Sequence, residues 1–344
     1  MSCGSSTNSS PSSICTELED NLDLETPSQY QLTLNQPCQR PSTLGSAVYL
    51  SPHLPSRVHH VALSELPPST TNPLHPMALA GKHCAIVGAT GIIGSHIAQA
   101  FARRGAVLSL LGRSVLESRP RLEPLLAPYL PPPSSPSPDT LQGRSNSNIP
   151  SEHRFIRLDV SQRENIKDIF AGRSQNDDQD AIVGPVDILV NCAGISQTSF
   201  LKRTSEQELS DVLETNLMAT MLVCKHAKLR PHGCIINVSS LMATKGGSGA
   251  TAYAASKAGV VGFTRALCRE LGPRSIRVNA LLPGWVASPM WDHLKPELQA
   301  AFLKDTPLNR VGDPEEIAEA AVFLASNAFA NNCVLNLDGG LSAA

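Results

Sequence analysis

Three side chains with proton chemistry stand near one another in the chain: Ser240, Tyr253 and Lys257. Tyr253 and Lys257 are one helical turn apart, so a helix starting here shows both on one face. Ser240 closes a short apolar run, Ile235-Ile236-Asn237-Val238, of the kind that forms a buried parallel strand. A hydroxyl at a strand end that faces a phenol and an ammonium is a proton-delivery device. A phenol near its reference pKa of about 10 is a poor acid–base catalyst at pH 7. The adjacent ammonium is expected to favour the phenolate and bring Tyr253 toward the working range. In isolation such a tyrosine–lysine pair is common by chance and reads as an interface aromatic beside a solvated charge. The surrounding elements decide between the two readings.

A Gly-rich loop, Lys245 to Gly249, separates Ser240 from the tyrosine helix. That helix carries apolar residues at helical spacing to Leu271 and stops at Gly272-Pro273. Upstream, His83 to Val87 reads as a buried strand followed by Gly88-Ala89-Thr90-Gly91-Ile92-Ile93-Gly94 and a helical pattern to Gly105. Glycines between a strand and a helix let the backbone turn tightly and approach a pyrophosphate, which the helix N-terminus then receives. A plain tight turn is the alternative. A second strand, Ala106 to Leu111, ends in Gly112-Arg113-Ser114. In a dinucleotide fold an acid there binds a ribose hydroxyl, whereas an arginine suits the 2′-phosphate of NADP. Arg113 therefore argues for NADPH, against the alternative of a solvated loop arginine.

Phe155 to Val160 reads as a third strand, with Asp159 at its end placed for an adenine amino group or for local capping. Ser161-Gln162-Arg163-Glu164 is a capping box opening the next helix. Val186 to Val190 is a fourth strand, followed by Asn191-Cys192-Ala193-Gly194. Thr204-Ser205 caps a long helix in which Asn216 interrupts the apolar stripe. Asn216 is either a satisfied buried amide or a kink that holds a water in a proton path. Ile276 to Leu282, ending in Pro283-Gly284, is a sixth strand, and Trp285 to Met290 begins a lid. Asp313-Pro314-Glu315-Glu316 starts a helix, and Val334 to Leu337 is the last strand. Strands alternating with helices imply an α/β fold, a Rossmann-like, doubly wound parallel sheet in one domain.

Composition sets the limits. The 344 residues carry a formal net charge of −2, which gives no reason to expect nucleic acid or an anionic membrane as partner. No apolar run is long enough to cross a membrane. Nine cysteines lack metal-type spacing, and those in apolar segments suggest reduced, buried thiols. Residues 1–76 hold ten of the 27 prolines and residues 118–150 hold nine more. Both stretches are Ser-rich and aperiodic, so both are expected to be disordered: an N-terminal extension, and an insertion within a domain spanning 77–344. Acids outnumber arginines in 1–76, which makes it a poor mitochondrial transit peptide.

With these motifs in this order, the chain resembles the short-chain dehydrogenase/reductase superfamily over about residues 79–342. Within it, the chain looks most like the 3-oxoacyl-(acyl-carrier-protein) reductases and related mitochondrial carbonyl reductases. The supporting stretches are DILVNCAGISQTSFLKRTSEQE, VSSLMATKGGSGATAYAASKAGVVGFTRAL, IRVNALLPGWVASPM and LNLDGG. The resemblance implies that Tyr253 is the general acid, that Lys257 lowers its pKa and binds the nicotinamide ribose, that Ser240 holds the carbonyl oxygen and that Asn216 holds a water. It implies NADPH contacts from Gly88, Thr90, Gly91, Ile93, Gly94, Arg113, Asp159, Val160, Asn191, Ala193, Gly194, Pro283, Gly284, Val286 and Ser288, as well as from Tyr253 and Lys257. It also implies an acyl carrier protein or acyl thioester as partner, a homotetramer or homodimer, and a mitochondrial-matrix or cytoplasmic location. Arg230 and Arg274, read as helix-end charges, are candidates to receive the carrier. The chain departs from the pattern at Val87, Ile92, Cys192 and Ser288, and has no basic residue inside the Gly loop.

Three functions are compatible with these residues: reduction of a 3-oxoacyl thioester in fatty-acid synthesis, reduction of a quinone, steroid or secondary-metabolite ketone, and non-catalytic dinucleotide sensing. The third has no need of Asn216, Ser240, Tyr253 and Lys257 together.

Overall fold

A computed structural model of the protein describes residues 77–129, 149–172 and 182–343. The expected N-terminal extension lies outside them. The elements follow in the order β1 (His83–Val87), α1 (Ile92–Arg103), β2 (Val107–Gly112), α2 (Val115–Leu122), β3 (Arg154–Arg157), α3 (Arg163–Ala171), β4 (Val186–Asn191) and α4 (Glu206–Leu213). After them come α5 (Ala219–His226), β5 (Leu229–Val238), α6 (Met242–Lys245), α7 (Thr251–Leu271), β6 (Arg277–Pro283), α8 (Pro289–Asp292), α9 (Pro296–Asp305), α10 (Pro314–Ser326) and β7 (Val334–Leu337).

The seven strands form one parallel sheet in the order β3-β2-β1-β4-β5-β6-β7. The order reverses between β1 and β4, which opens a crevice at the carboxyl ends of those strands. Strand side chains alternate between two cores. Ile86, Leu108, Leu110, Val190 and Ile236 pack with Ile97 and Phe101 of α1 and Ile317, Ala321 and Leu324 of α10. Ala85, Val87, Leu189, Ile235 and Val278 pack with Ile166 and Phe170 of α3, Val223 of α5 and Cys268 of α7. Both faces of the sheet are covered, which explains why its strands read as continuous apolar runs. The six described cysteines are unpaired thiols.

Three sequence expectations change. The insertion drawn at 118–150 begins too early: α2 runs to Leu122, a 3₁₀ turn continues over Glu123–Leu125, and Leu126 and Ala127 pack on the first core. Proline content averaged over the stretch hid these short apolar anchors; residues 130–148 lie outside the description. The Ser161 capping box does not form. The cap position of α3 is Gln162, and the Ser161 hydroxyl donates to Asp159 Oδ1 at 2.7 Å. Arg230 lies inside β5 rather than at a helix end, because the strand starts at Leu229. The helix start expected at Asp313 is present, and the structure adds a capping box there, with Asp313 N–H donating to Glu316 at 2.8 Å.

At the amino ends of the strands, buried His83 donates from Nδ1 to the Pro185 carbonyl and accepts at Nε2 from the Ser109 hydroxyl, both at 2.9 Å. Burial pushes its pKa down to about 4, against the Pro185 hydrogen bond that raises it. The unfolded chain therefore binds this proton first, near pH 6.5, and acid favours unfolding. Between pH 6.5 and pH 4, His83 should remove up to about 3 kcal/mol of unfolding free energy. Denaturant titrations of His83→Gln should show a shallower loss over that window than the parent protein. Parallel slopes would clear His83 of the acid sensitivity.

Candidate active site

The site lies at the carboxyl ends of β1, β4, β5 and β6, and the local sequence explains how each side chain reaches it. After β1 the chain turns through Gly88, whose φ is +85°. A Cβ there would lie 2.5 Å from the Ala193 amide nitrogen, so β1 and β4 touch backbone to backbone. A Cβ on Gly94 would lie 2.2 Å from the Gly88 carbonyl oxygen, so α1 sits equally close to the turn. Gly91, in contrast, is exposed and its missing Cβ meets nothing nearer than 3.5 Å. It caps α1 with no side-chain bond and with no acid in the first turn. Among the described residues no side chain therefore caps the first N–H groups and positive end of this 12-residue helix, which start at exposed Gly91 between Thr90 and Ile93. That arrangement fits a pyrophosphate.

Arg113 follows β2, is exposed, and pairs with no carboxylate among the described residues, which suits an anion. The structure adds a second basic residue missed in the sequence, Arg121 of α2. Its guanidinium donates to the Thr90 carbonyl in the Gly loop at 3.4 Å. Assigning residues from 118 onward to a disordered insertion concealed it. Asp159 is in large part a local cap, since its Oδ1 accepts from both the amide and the hydroxyl of Ser161. Val87, Val160, Asn191, Ala193, Thr215 and Thr220 line a small cavity beside it. Asn191 is 5 % exposed and spends its Nδ2 on Asn237 Oδ1 at 2.9 Å, while its Oδ1 has no partner among the described residues.

Ser240 follows β5. The strand end is fixed by Ser239, whose amide donates to the Leu281 carbonyl at 2.8 Å and whose hydroxyl donates to the Lys257 carbonyl at 2.7 Å. The Ser240 hydroxyl stands close enough to the Tyr253 phenol to favour its charged form, and accepts from the Met242 amide at 3.2 Å. Lys257 is 5 % exposed; its Nζ donates to the Val238 carbonyl at 3.0 Å and lies 5.7 Å from the centroid of the Tyr253 ring. Burial pulls Lys257 down to about 8. Burial also raises Tyr253 above its ordinary value, with the Ser240 bond opposing. The expected downward shift of the phenol is thus not met in this structure, because desolvation outweighs the hydroxyl bond. Burial holds the neighbouring Cys192 thiol up at about 11, so it stays protonated and inert.

Asn216 sits in a π-turn, Glu214–Met218, inserted between α4 and α5. The extra residue interrupts the helix there, and the amide is the satisfied buried group that was one of the two expectations for Asn216. Oδ1 accepts from Ile195 N–H at 2.8 Å, and Nδ2 donates to the Ile195 carbonyl at 2.9 Å and to Ser256 Oγ at 3.0 Å. A Cβ on Gly194 would lie 3.0 Å from Asn216 Oδ1 and 3.3 Å from Lys257 Nζ, so these two groups flank one point. Gln197, also missed, reaches the first turn of α7 from a distant loop.

The segment expected to begin a lid, Trp285 to Met290, follows Gly284, where a Cβ would clash with Asp338 at 2.7 Å. Pro283 O accepts from Leu241 N–H, and Val286 bridges to Gly312. Ser288 caps α8 and donates its hydroxyl to the Val286 carbonyl at 2.9 Å, so it shapes the lid directly. Trp285 packs on Trp291 and Phe302 with ring centroids 5.6 and 4.8 Å apart. Arg274 donates to the Leu229 carbonyl at 3.2 Å and Arg230 lies 3.9 Å from Asp187, so both stand at the amino ends of the central strands, opposite the end of β5 that leads to Ser240 of the same chain.

Residues 141–342 match a family model described as enoyl-(acyl carrier protein) reductase. The chain is 34% identical over 263 residues to a mouse protein named 3-oxoacyl-(acyl-carrier-protein) reductase, covering 76% of this chain and 98% of the relative. It is 35% identical over 271 residues to the 3-oxoacyl-(acyl-carrier-protein) reductase FabG of Chlamydia muridarum, covering 77% of this chain and 98% of that one. A solved Serratia marcescens short-chain dehydrogenase/reductase, a mutant form of that enzyme, superposes with a TM-score of 0.64 at 25% identity over 78% of this chain and all of its own.

The shared contact at Gly194 yields a direct test. Gly194→Ala places a methyl against Asn216 and Lys257 together. Turnover should fall by about tenfold or more, since sub-ångström misplacement is costly in a proton path, while the melting temperature changes by only a few degrees. Unaltered turnover would show that the two groups need no fixed spacing.

Proposed function

We propose, for a chain that belongs to the short-chain dehydrogenase/reductase family, the NADPH-dependent reduction of a 3-oxoacyl thioester to the 3-hydroxyacyl thioester, with the acyl group carried on an acyl carrier protein. The observation that carries this reading is the convergence of two hydroxyls, Ser240 and Tyr253, beside the buried Lys257 at the carboxyl end of β5. Two hydroxyl donors aimed at one point suit a carbonyl oxygen on which negative charge develops. The names of the mouse and Chlamydia relatives, each matched over nearly its whole length, support the thioester as substrate. The enoyl description of the family model is a second reading, but the paired hydroxyls favour C=O over C=C as the bond reduced.

The nicotinamide of a bound NADPH supplies the hydride. The chain's own residues do the rest. The open N-terminus of α1, with Gly91, receives the pyrophosphate, and Arg113 receives the 2′-phosphate. Ser240 donates to the substrate carbonyl and orients it. Tyr253, kept protonated by burial, gives its proton to the developing alkoxide. Lys257, charged below about pH 8, stabilises the phenolate left behind and passes a proton back to it. Asn216 holds the path between Lys257 and the exterior by fixing the loop at Ile195.

Purified protein should oxidise NADPH with an acetoacetyl thioester faster than with a crotonyl thioester, a quinone or a ketosteroid. Preference for any of the last three would replace the substrate assignment. Tyr253→Phe should lower kcat by at least about a hundredfold while still binding NADPH. Arg113→Asp should cut the NADPH-over-NADH ratio of kcat/KM by about tenfold or more, through loss of a charge-assisted bond and added repulsion. A ratio equal to that of the parent protein would put the phosphate elsewhere.

A further inference from the structure

α7 carries Tyr253 and Lys257, yet it starts badly. Its cap residue is Ala250, which has no side-chain acceptor, and its first turn contains no acid. The first N–H groups of a helix have no partner within the helix. Those of Ala252 and Tyr253 stand where an ordinary cap side chain would bond. Here the acceptor comes from elsewhere: Gln197 Oε1 takes Ala252 N–H at 2.7 Å and Tyr253 N–H at 3.4 Å. Gln197 is 4 % exposed. Its Nε2 donates to the Ser199 carbonyl at 2.9 Å, to Thr204 Oγ1 at 3.0 Å and to Thr251 Oγ1 at 3.4 Å. The amide orientation is fixed by these partners, since only an oxygen can face two N–H donors and only an NH₂ can face a carbonyl.

We propose that Gln197 is a positioning residue for Tyr253: it caps α7 from outside the helix, and it does so without charge. The inference rests on Tyr253 being the proton donor. Gln197 holds the Ala252 nitrogen at 2.7 Å and reaches the nitrogen of Tyr253 itself at 3.4 Å, so the cap fixes the helix turn from which the phenol projects toward Ser240. An Asp or Glu cap would satisfy the same N–H groups and interact better with the helix dipole. It would also put a negative charge one side chain away from a phenol that must become phenolate, and so oppose proton release. A glutamine supplies the acceptor and avoids that opposition. The same amide holds the turn at Ser199 and Thr204, while Asn216 holds Ile195. The segment 195–204 is therefore tied at one end to the π-turn and at the other to the tyrosine helix.

The test compares Gln197→Ala, Gln197→Glu, the double variant Gln197→Ala with Ala250→Ser, and Tyr253→Phe as control. The readouts are kcat and KM with an acetoacetyl thioester, NADPH affinity by fluorescence, the pH profile of kcat, and amide exchange at Tyr253. Gln197→Ala should lose about tenfold or more in kcat, keep its NADPH affinity within about twofold, and exchange the Tyr253 amide faster. Ala250→Ser restores a cap within the helix and should recover much of the loss. Gln197→Glu should move the apparent pKa of the acid upward by roughly half a pH unit or more. A parent-like kcat and pH profile in both single variants would overturn the proposal, as would an effect on KM alone, which would make Gln197 a substrate contact. If Gln197→Ala does not fold, Gln197→Glu carries the test; if neither folds, the cap serves the whole domain and the proposal falls. Near-normal turnover in Tyr253→Phe would instead remove the proton-donor reading, with the amide-exchange result still reporting on the cap.

Discussion

The approach of β1 to β4 at Gly88 and Ala193 is the constraint from which the site follows. With 2.5 Å between a notional Cβ and the Ala193 nitrogen, no side chain fits on that turn in any rotamer. The positive φ of Gly88 makes the exclusion double, since an L side chain is strained there as well as obstructed. This contact brings the start of α1 to the carboxyl ends of the central strands and sets Gly194 against Asn216 and Lys257. The uncapped end of α1 and the Asn216 and Lys257 side chains are thereby referred to one stretch of bare backbone.

Around that backbone the protein accepts the cost of burying a lysine. Removing an ammonium from water with no carboxylate paired to it among the described residues is unfavourable, and burial accordingly lowers the pKa of Lys257. The Val238 carbonyl and the face of the Tyr253 ring offset part of it. The carbonyl of Lys257 is itself bonded by Ser239, so the strand that presents Ser240 and the helix that presents the lysine hold each other. A π-turn is a costly interruption of a helix, and here it aims the Asn216 amide at the loop on the other side of Gly194. Two energetically unfavourable features thus meet at one place, as functional sites commonly show.

Much of the fold was legible because it rests on local rules. The strand–glycine–helix succession from His83 to Phe101, the Asp313 cap and the Ser205 cap each appear as written in the sequence. The positions of Ser240, Tyr253 and Lys257 were legible for the same reason, since helical spacing and a strand end place them. What was hidden depends on partners far apart in the chain. Gln197 looks like any loop glutamine until the amides of α7 come to meet it. Arg121 sits beside a proline in a stretch whose average composition suggests disorder, and packing of Leu126 and Ala127 on the first core holds the segment that brings it to Thr90. The direction of the Tyr253 shift was misjudged because residue spacing reports charges nearby but not the water removed around them. Ser161 had a capping-box partner in sequence and a nearer acceptor in space, Asp159.

The pairing of α1 with α10 has a consequence for how the molecule is made. Arg103 bonds Glu315 and Arg104 bonds Glu319, in contacts that span 212 and 215 positions of chain. Phe101 and Ile97 of α1 share a core with Ile317 and Leu324 of α10. The first helix of the domain therefore lacks its cover until almost the last has been synthesised. An emerging chain would carry the apolar face of α1 and the central strand β1 exposed throughout elongation, for on the order of ten seconds or more at ordinary translation rates. Such long-range closure makes for slow folding, so the early half of the domain stays open to non-native contacts until α10 has emerged.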